Sequence, residues 1–311
     1  MKPLRIFLTG ASGQLGQALL ALCPDQLNER PIELIAPSRT DLDLSDPGAC
    51  SDAVRQHRPD WLLNAAAYTE VDKAESELDL VYAVNAGAPR VFAEVLKDIG
   101  GRMLQLSTDF VFDGSQGWPY ATDQPQNPLG VYGASKAAGE QVVMELLGPS
   151  ERGTILRTSW LLGPVGRNFL LTMLRLHDER DELCVVADQV GCPTSTLTLS
   201  STCWRTIECW EQGQHLPGVM HWSDAGAASW YDVAVAIGEL GQELGLLHSP
   251  ALVQPITTAE YPTPVRRPTY SLLDCTETWR LLELQPLHWR RALAAVLHEV
   301  QRLRSAESLA S

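Results

Sequence analysis

The fold is decided by the stretch Thr9-Gly10-Ala11-Ser12-Gly13-Gln14-Leu15-Gly16. It follows a short apolar run, Arg5–Thr9, and opens a segment with helical spacing, Gly13–Leu22. Glycines at such a junction let the backbone approach a pyrophosphate, whose charge then lies at a helix N-terminus with free N–H donors. Because the spacing G-x-x-G-x-x-G departs from the usual G-x-G-x-x-G, the loop alone is a weak indication. Its place at the first strand–helix junction favours dinucleotide binding over a purely structural turn.

Short apolar runs and helix-length segments alternate through the first half of the chain. The further runs are Ile32–Ala36, Trp61–Asn64, Met103–Ser107 and Thr154–Arg157, and the segments with helical spacing are Pro47–His57, Glu77–Ile99 and Tyr132–Leu147. Asp46 before Pro47 is suited to cap the first of these helices. The alternation predicts an α/β fold with a Rossmann-type, doubly wound parallel sheet, whose strand C-termini lie along one edge.

The pattern becomes less regular after about residue 163. It predicts helices at Phe169–Leu176 and Leu197–Trp210, another from Trp230, and a strand at Cys184–Val186. We therefore expect an NAD(P)-binding Rossmann domain at residues 1–162. Residues 163–311 are expected to form a smaller, mainly substrate-binding region, with some segments returning to the sheet.

Composition excludes several classes of protein. The formal charge of −14 argues against general affinity for nucleic acid or anionic membrane, since phosphate binding needs a basic surface. The seven cysteines include no C-x-x-C pair, so neither a zinc site nor a disulfide framework is indicated. No apolar run reaches membrane-spanning length and the first residues leave no room for a signal peptide, so we expect a cytoplasmic protein.

A tyrosine and a lysine four residues apart, Tyr132 and Lys136, lie on one face of a predicted helix. An ammonium beside a phenol lowers the tyrosine pKa toward a working pH, and such a pair protonates a carbonyl oxygen while hydride reaches its carbon. The spacing alone is common by chance on surface helices. Thr108, directly after the fourth strand, adds a hydroxyl at the ligand-binding edge that can stabilise charge on the reacting oxygen. Together with the glycine loop, these residues favour a catalytic site over a strand end and a surface helix.

Residues after the second and third strands bear on the cofactor. Ala65, Ala66 and Ala67 are small enough to let the backbone lie close to it, although tight strand–helix packing is a compatible explanation. Arg39 stands where an acidic residue would bind the ribose of NAD, and its guanidinium suits a 2′-phosphate. The sequence therefore favours NADPH over NADH if Arg39 pairs with that phosphate. A solvated loop charge with no ligand is an equal alternative for Arg39.

In this order the motifs resemble the dTDP-4-dehydrorhamnose reductases, a family of extended short-chain dehydrogenases/reductases, over nearly the whole chain. The most specific segments are A-A-Y-T-x-V-D-x-A-E at residues 66–75, S-T-D-x-V-F-D-G at 107–114 and D-Q-x-G-x-P-T at 188–194. The resemblance implies reduction of dTDP-4-dehydro-β-L-rhamnose to dTDP-β-L-rhamnose, the last step in making that sugar donor. It makes Tyr132 the proton donor, Lys136 the residue that binds the nicotinamide ribose, and Thr108 a hydroxyl near the sugar oxygen.

The remaining site residues fall into two sets. We assign cofactor binding to Gly10, Ser12, Gly13, Gln14, Leu15, Gly16, Arg39, Asp43, Leu44, Ala65, Ala66, Ala67, Tyr132 and Lys136. We assign binding of the nucleotide-sugar substrate to Thr108, Asp109, Trp160, Asn168 and Arg267. Arg267 is expected to bind the pyrophosphate of the substrate, and the alternative is an exposed loop arginine without a ligand.

The chain departs from the family at three positions. Phe110 stands where the family usually has Tyr, which removes a hydroxyl from the active-site segment. Some members dimerise through a magnesium-bound carboxylate cluster, but Ala18 and Leu197 replace their glutamates and cannot ligate a hard cation. We therefore expect no metal site, doubt magnesium as a cofactor, and leave a homodimer open.

Two other functions stay open at this point. One is a nucleotide-sugar epimerase or dehydratase of the same fold, which retains its cofactor through a catalytic cycle, whereas a reductase consumes it. The other is a non-catalytic, cofactor-binding regulatory subunit. The intact Tyr132, Lys136 and Thr108 argue against the latter.

Overall fold

A computed structural model describes residues 2–310 of the chain. Its strands are β1 Leu4–Thr9, β2 Gln26–Leu27, β3 Arg30–Ile35, β4 Trp61–Asn64, β5 Arg102–Thr108, β6 Gly153–Thr158, β7 Leu161–Leu162, β8 Glu182–Val186, β9 Val190–Gly191, β10 Thr194–Ser195, β11 Val219–His221, β12 Ala228–Ser229 and β13 Leu252–Ile256. Its α-helices are α1 Gln14–Ala21, α2 Pro47–His57, α3 Val71–Ala74, α4 Leu78–Tyr82, α5 Ala88–Ile99, α6 Val131–Leu147, α7 Phe169–Glu179, α8 Thr196–Glu211, α9 Trp230–Glu243, α10 Thr276–Leu281 and α11 Trp289–Ala310.

The central sheet has the order β11-β6-β5-β4-β1-β3-β2. All neighbours pair in parallel except β2, which turns back against β3. The doubly wound parallel sheet expected from the sequence is therefore confirmed, with the predicted strands within two residues of their observed ends. The edge strand β11 comes from the second half of the chain and pairs in parallel with β6.

Two helical layers cover the sheet, and a separate core lies in the second half. Helices α1 and α8 pack together on one face, and α2, α5 and α6 pack on the other. Strand β4 is buried along its whole length, as a parallel strand covered on both faces should be. The second core joins α7, α9 and α11 around β8.

The predicted cap of α2 is present, and one predicted helix contains a π-helical turn. The Asp46 side chain accepts the amides of Gly48 and Ala49, so the cap of α2 is confirmed. The helix expected over Glu77–Ile99 is confirmed, except that a π-helical turn at Ala83–Gly87 stands between α4 and α5. Pro89 there has no amide to donate, which interrupts the regular helical ladder.

The π turn holds Asn85 against its neighbours. The Asn85 amide exchanges hydrogen bonds with the backbone of Tyr68, at 2.8 and 3.1 Å, and donates to Ser135 Oγ at 3.0 Å. Asn85 therefore ties the segment after β4 to helix α6. π-Helical turns of this kind are frequent near functional sites.

Strands β1, β4 and β5 end at one edge of the sheet over a buried polar row. The Thr9 hydroxyl donates to Asn64, and the Asn64 amide donates to Gln105 Oε1 at 2.7 Å. In a parallel open sheet the carboxyl edge is where ligands bind, and the strand order reverses at β1 and β4. The site is therefore expected above this row.

Candidate active site

The glycine loop has a conformation that side chains would prevent. Gly10 has φ of +73°, and a Cβ atom there would lie 2.7 Å from the Ala66 amide nitrogen. A Cβ atom on Gly16 would lie 2.0 Å from the Gly10 carbonyl oxygen. The loop therefore rests directly on the backbone after β4, and this cradle suits a pyrophosphate at the α1 N-terminus.

The residues assigned to the cofactor surround this loop. Ser12 and Gly13 are exposed at the start of α1, whereas Leu15 and Gly16 are buried. Arg39 and Asp43 are exposed beyond the end of β3, and Leu44 is half-buried. Hydrogen bonds from Ser45 and, secondarily, the Arg39 charge lower the pKa of Asp43. The loop and these residues lie at the carboxyl ends of neighbouring strands; their cofactor contacts stay predictions.

Lys136 lies on the buried face of α6, one turn after Tyr132. Its Nζ donates to the Leu106 carbonyl oxygen at 2.7 Å, and only 4% of the residue is exposed. Burial lowers the pKa of Lys136 to about 8, and the negative charge of Glu140 opposes that shift. The ammonium is thus fixed to the end of β5.

Tyr132 is half-buried in the first turn of α6. Burial raises the pKa of its phenol to about 12, the neighbouring Thr108 hydroxyl opposes the shift, and the charge of Asp109 adds to it. The expectation that Lys136 lowers this pKa is wrong for this structure, because its ammonium interacts with Leu106 instead. At neutral pH the phenol stays protonated, as a proton donor must be.

Thr108 and Asp109 end strand β5 beside Tyr132. The Thr108 hydroxyl lies 3.1 Å from Asp109 Oδ1 and accepts the Phe110 amide at 3.2 Å. Asp109 is 1% exposed, and its Oδ2 has no hydrogen-bond partner among the described residues. Burial raises its pKa to about 6, and the hydroxyls of Ser271 and Thr108 oppose that shift. The structure therefore brings together the predicted hydroxyl, the predicted acid and a buried carboxyl.

Trp160 follows β6 in a left-handed backbone conformation, with φ of +45°. Its ring stacks on Trp230 with centroids 3.7 Å apart and an angle of 5°. A Cβ atom on Gly191 would lie 2.5 Å from the Trp160 ring, so the ring is held between that backbone and Trp230. The indole is rigidly placed and half-buried; its contact with a sugar stays a prediction.

The other two residues assigned to the substrate join separate parts of the chain. Asn168 caps α7 through the Leu171 amide and donates to Gln14 Oε1 at 2.9 Å, which links α7 to the glycine loop. Arg267 forms an ion pair with Asp72 at 2.9 Å. Both side chains are engaged within the chain, and their substrate contacts stay predictions.

With this geometry established, comparison with known proteins assigns the family. The family model described as RmlD substrate binding domain matches residues 4–302. The chain belongs to this family. A dTDP-4-dehydrorhamnose reductase of Streptomyces griseus is 41% identical over 290 residues, which are 93% of this chain and 91% of that protein.

A second relative and a solved structure agree with this assignment. The dTDP-4-dehydrorhamnose reductase of Aggregatibacter actinomycetemcomitans is 40% identical over 290 residues, 93% of this chain and 97% of that protein. The crystal structure of dTDP-4-dehydrorhamnose reductase from Bacillus anthracis in complex with NADP matches with a TM-score of 0.84 at 35% identity, covering 96% of this chain and 100% of that chain.

The positions that depart from the RmlD family pattern have clear environments. Phe110 lies edge-on to Tyr132, with ring centroids 5.5 Å apart, so its ring helps to position the phenol. Ala18 and Leu197 lie on α1 and α8, which pack against each other. Among the side chains that the structure describes, those of residues 2–306, no group of three or more His, Cys, Asp or Glu is arranged to hold a metal ion. In the same residues no helix combines the length and apolarity needed to cross a bilayer.

Sequence reasoning missed two groups that support the site. Glu75 accepts the Val131 amide at 2.8 Å and so fixes the start of α6 next to Tyr132. Glu140 and Arg157 form a buried, multiply hydrogen-bonded ion pair, and Arg157 also meets His221 at 3.2 Å. Glu75 ends a recognised motif, but the ion pair had no local signal because its partners belong to separate elements.

Proposed function

We propose that this protein reduces dTDP-4-dehydro-β-L-rhamnose to dTDP-β-L-rhamnose by hydride transfer from NAD(P)H. The observation that carries the proposal is the cluster of Tyr132, Thr108 and Lys136 at the carboxyl edge of the sheet. Only strand β4 separates β5, which ends in Thr108, from β1, which leads into the glycine loop. The names of the relatives in the RmlD family support the choice of substrate.

The residues of this chain have distinct tasks in that reaction. Tyr132 donates its phenolic proton to the C4 oxygen of the sugar as negative charge develops there. The Thr108 hydroxyl, at the end of β5, hydrogen-bonds the same oxygen. Lys136 is held at the Leu106 carbonyl, from which its ammonium binds the nicotinamide ribose. The nicotinamide cofactor, when bound, supplies the hydride.

The cofactor and substrate contacts extend this assignment. Gly10, Gly13 and Gly16 hold the pyrophosphate of the cofactor, and Arg39 makes NADPH preferred over NADH by pairing its 2′-phosphate. Trp160 contacts the sugar. We propose residues 1–162 as the cofactor-binding domain and 163–311 as the mainly substrate-binding region, in a cytoplasmic enzyme.

The test is a cofactor-consumption assay. Purified protein is mixed with dTDP-4-dehydro-β-L-rhamnose and NADPH or NADH, and loss of reduced nicotinamide absorbance is followed while the product is identified by NMR. We expect stoichiometric oxidation and formation of dTDP-β-L-rhamnose. An epimerase or dehydratase retains its cofactor, so a changed sugar without net oxidation would reject the reductase. Absence of substrate-dependent oxidation with both cofactors would reject it as well.

A further inference from the structure

The Trp160 indole is held by two other parts of the chain, which gives those parts a role in substrate binding. We propose that Trp230 and Gly191 are positioning residues that fix the Trp160 ring in the orientation that receives the sugar of the substrate. The proposal deepens the proposed function and rests on it, because the contact between Trp160 and the sugar belongs to that function. Trp230 and Gly191 act on the sugar through the Trp160 ring.

The backbone of Trp160 has a conformation that bulky residues rarely adopt. Its φ of +45° lies in the left-handed region, which is unfavourable for a residue with a large side chain. Two hydrogen bonds hold the chain there: the Thr194 amide donates to the Trp160 carbonyl oxygen at 3.1 Å, and Ser159 Oγ donates to the Cys192 carbonyl oxygen at 2.8 Å. Such conformations persist where the surrounding structure fixes them, and they are concentrated at functional sites. Tertiary contacts therefore set the direction in which the indole leaves the backbone.

Trp230 covers one face of the Trp160 ring, with centroids 3.7 Å apart and planes 5° from parallel. Trp230 is the first residue of α9, and a capping box fixes that helix start. In the capping box, Ser229 Oγ accepts the Asp232 amide at 3.1 Å, and Asp232 Oδ2 accepts the Ser229 amide at 2.8 Å. Phe169 packs against the Trp230 ring with centroids 4.6 Å apart. Trp230 is thus itself immobilised and can orient the ring on which it stacks.

Gly191 leaves space for the Trp160 ring that a side chain would occupy. A Cβ atom on Gly191 would lie 2.5 Å from Trp160 Cε2 and 2.7 Å from Nε1. Carbon atoms do not approach that closely without a shift, so any other residue at position 191 would displace the indole. Strand β9 pairs antiparallel with β12, where Gly191 lies opposite Ala228, two residues before Trp230. The same two-stranded ribbon therefore carries both contacts of the ring.

A ring that is already fixed does not have to be ordered when the sugar binds. A side chain with free rotamers loses that freedom in a complex, which weakens binding, whereas a preorganised side chain avoids the loss. The Trp160 side chain is half-buried, so part of its ring is available to a ligand. Loss of the Trp230 contact should therefore weaken binding of the sugar part of the substrate and leave binding of the nucleotide part unchanged.

The test compares Trp230→Leu with wild type in binding of dTDP-β-L-rhamnose and of dTDP, measured by calorimetry with saturating NADPH. We expect the Kd of dTDP-β-L-rhamnose to rise about 2- to 10-fold, the range for freeing one immobilised side chain, and the Kd of dTDP to stay constant. Trp230→Phe keeps an aromatic ring for stacking and should recover most of the affinity. Gly191→Ala displaces the Trp160 ring directly and should raise the same Kd by at least the same factor.

Nuclear magnetic resonance reports the Trp160 ring without turnover. The indole N–H signal of Trp160 is assigned in protein with 15N-labelled tryptophan by its disappearance in Trp160→Phe. In wild type, the stacked Trp230 ring should shift this signal through its ring current, and the order parameter should be that of a rigid group. In Trp230→Leu the shift should vanish and the order parameter should fall, which reports motion on the picosecond to nanosecond timescale. Trp230→Phe should retain part of the shift.

Two controls separate positioning of Trp160 from general damage to the core. In a Trp160→Ala background, Trp230→Leu should cause no further rise in the Kd of dTDP-β-L-rhamnose, because both changes act through one ring. Trp289→Leu is the matched control, since Trp289 belongs to the same core and its ring pairs with His288. This variant should lose stability in urea denaturation but keep the sugar affinity and the Trp160 signal of wild type.

The outcomes separate this proposal from the reductase function. An unchanged Kd of dTDP-β-L-rhamnose in Trp230→Leu or in Trp160→Ala overturns the positioning role and leaves the reductase standing. Equal losses of affinity for dTDP and dTDP-β-L-rhamnose, or a full further loss in the Trp160→Ala background, overturn it as well. If Trp230→Leu does not fold, Trp230→Phe and Gly191→Ala decide by the same measurements. If wild type oxidises neither NADPH nor NADH with the keto sugar, the reductase function fails, whatever the variants show.

Discussion

Two buried carboxyl groups, one on helix α6 and one at the end of strand β5, have nearly equal burial and different surroundings. Asp109 is 1% exposed and Glu140 2%. Glu140 receives hydrogen bonds of 2.7 to 3.1 Å from Arg157, whereas Asp109 meets hydroxyls. A buried charge that has a cation beside it can remain ionised, but one without a cation tends to bind a proton. Burial is therefore offset by an ion pair at Glu140, whereas at Asp109 it raises the pKa of the carboxyl to about 6.

The largest effect should come from the region of Asp109. Tyr132→Phe removes the general acid and should reduce kcat by roughly two to four orders of magnitude. Folding and cofactor binding should persist, because the ring and its contact with Phe110 remain. Steady-state kinetics and cofactor titration check this. Tyr120→Phe is the control, since its phenol donates to Asp113 and has no part in the proposed proton transfer. A wild-type rate in Tyr132→Phe would remove the acid assignment.

The region of Glu140 should respond in stability instead. Glu140→Gln leaves the Arg157 guanidinium buried without its counter-ion and should cost about 3–5 kcal/mol in the free energy of unfolding. Urea denaturation measures this. Asp98→Asn breaks the exposed pair with Arg55 and should cost at most about 1 kcal/mol, which makes it the matched control. Equal losses in the two variants would show that burial does not distinguish these pairs.

A smaller effect should appear in the pH dependence of stability. The folded-state pKa of Asp109, about 6, lies above its unfolded value, so its stabilising contribution is full at low pH and is lost as pH rises through about 6. Relative to Asp109→Asn, wild type should lose about 2–3 kcal/mol between pH 4 and pH 7. Urea denaturation at both pH values tests this.

Asp113 is the control for that measurement, because its pKa shifts in the direction opposite to that of Asp109. Hydrogen bonds, led by the Ser115 amide, lower the pKa of Asp113 to about 2. Wild type should therefore lose stability relative to Asp113→Asn only as pH falls below the unfolded value of about 4. If wild type and Asp109→Asn keep a constant stability difference across pH, the raised pKa of Asp109 is wrong.

The sequence by itself determined the α/β fold, the glycine loop and the order of the site segments. These follow from local periodicity, from glycines that a turn requires, and from motifs that are contiguous in the chain. The five predicted strands of the sheet and the cap at Asp46 needed no distant information. The π-helical turn at residues 83–87 was missed because helical periodicity continues across it, while Asn85 bonds to Tyr68 and Ser135.

Only the tertiary structure decided the electrostatics of the site. Helical spacing placed Lys136 one turn from Tyr132, but the fold directs its ammonium to the Leu106 carbonyl. The pKa of Tyr132 is therefore set by burial, Thr108 and Asp109. Whether a carboxyl is paired depends on which strand meets which helix, as for Glu140 and Arg157. Side-chain spacing along the chain is local, whereas desolvation and ion pairing depend on groups that the fold brings together from distant positions.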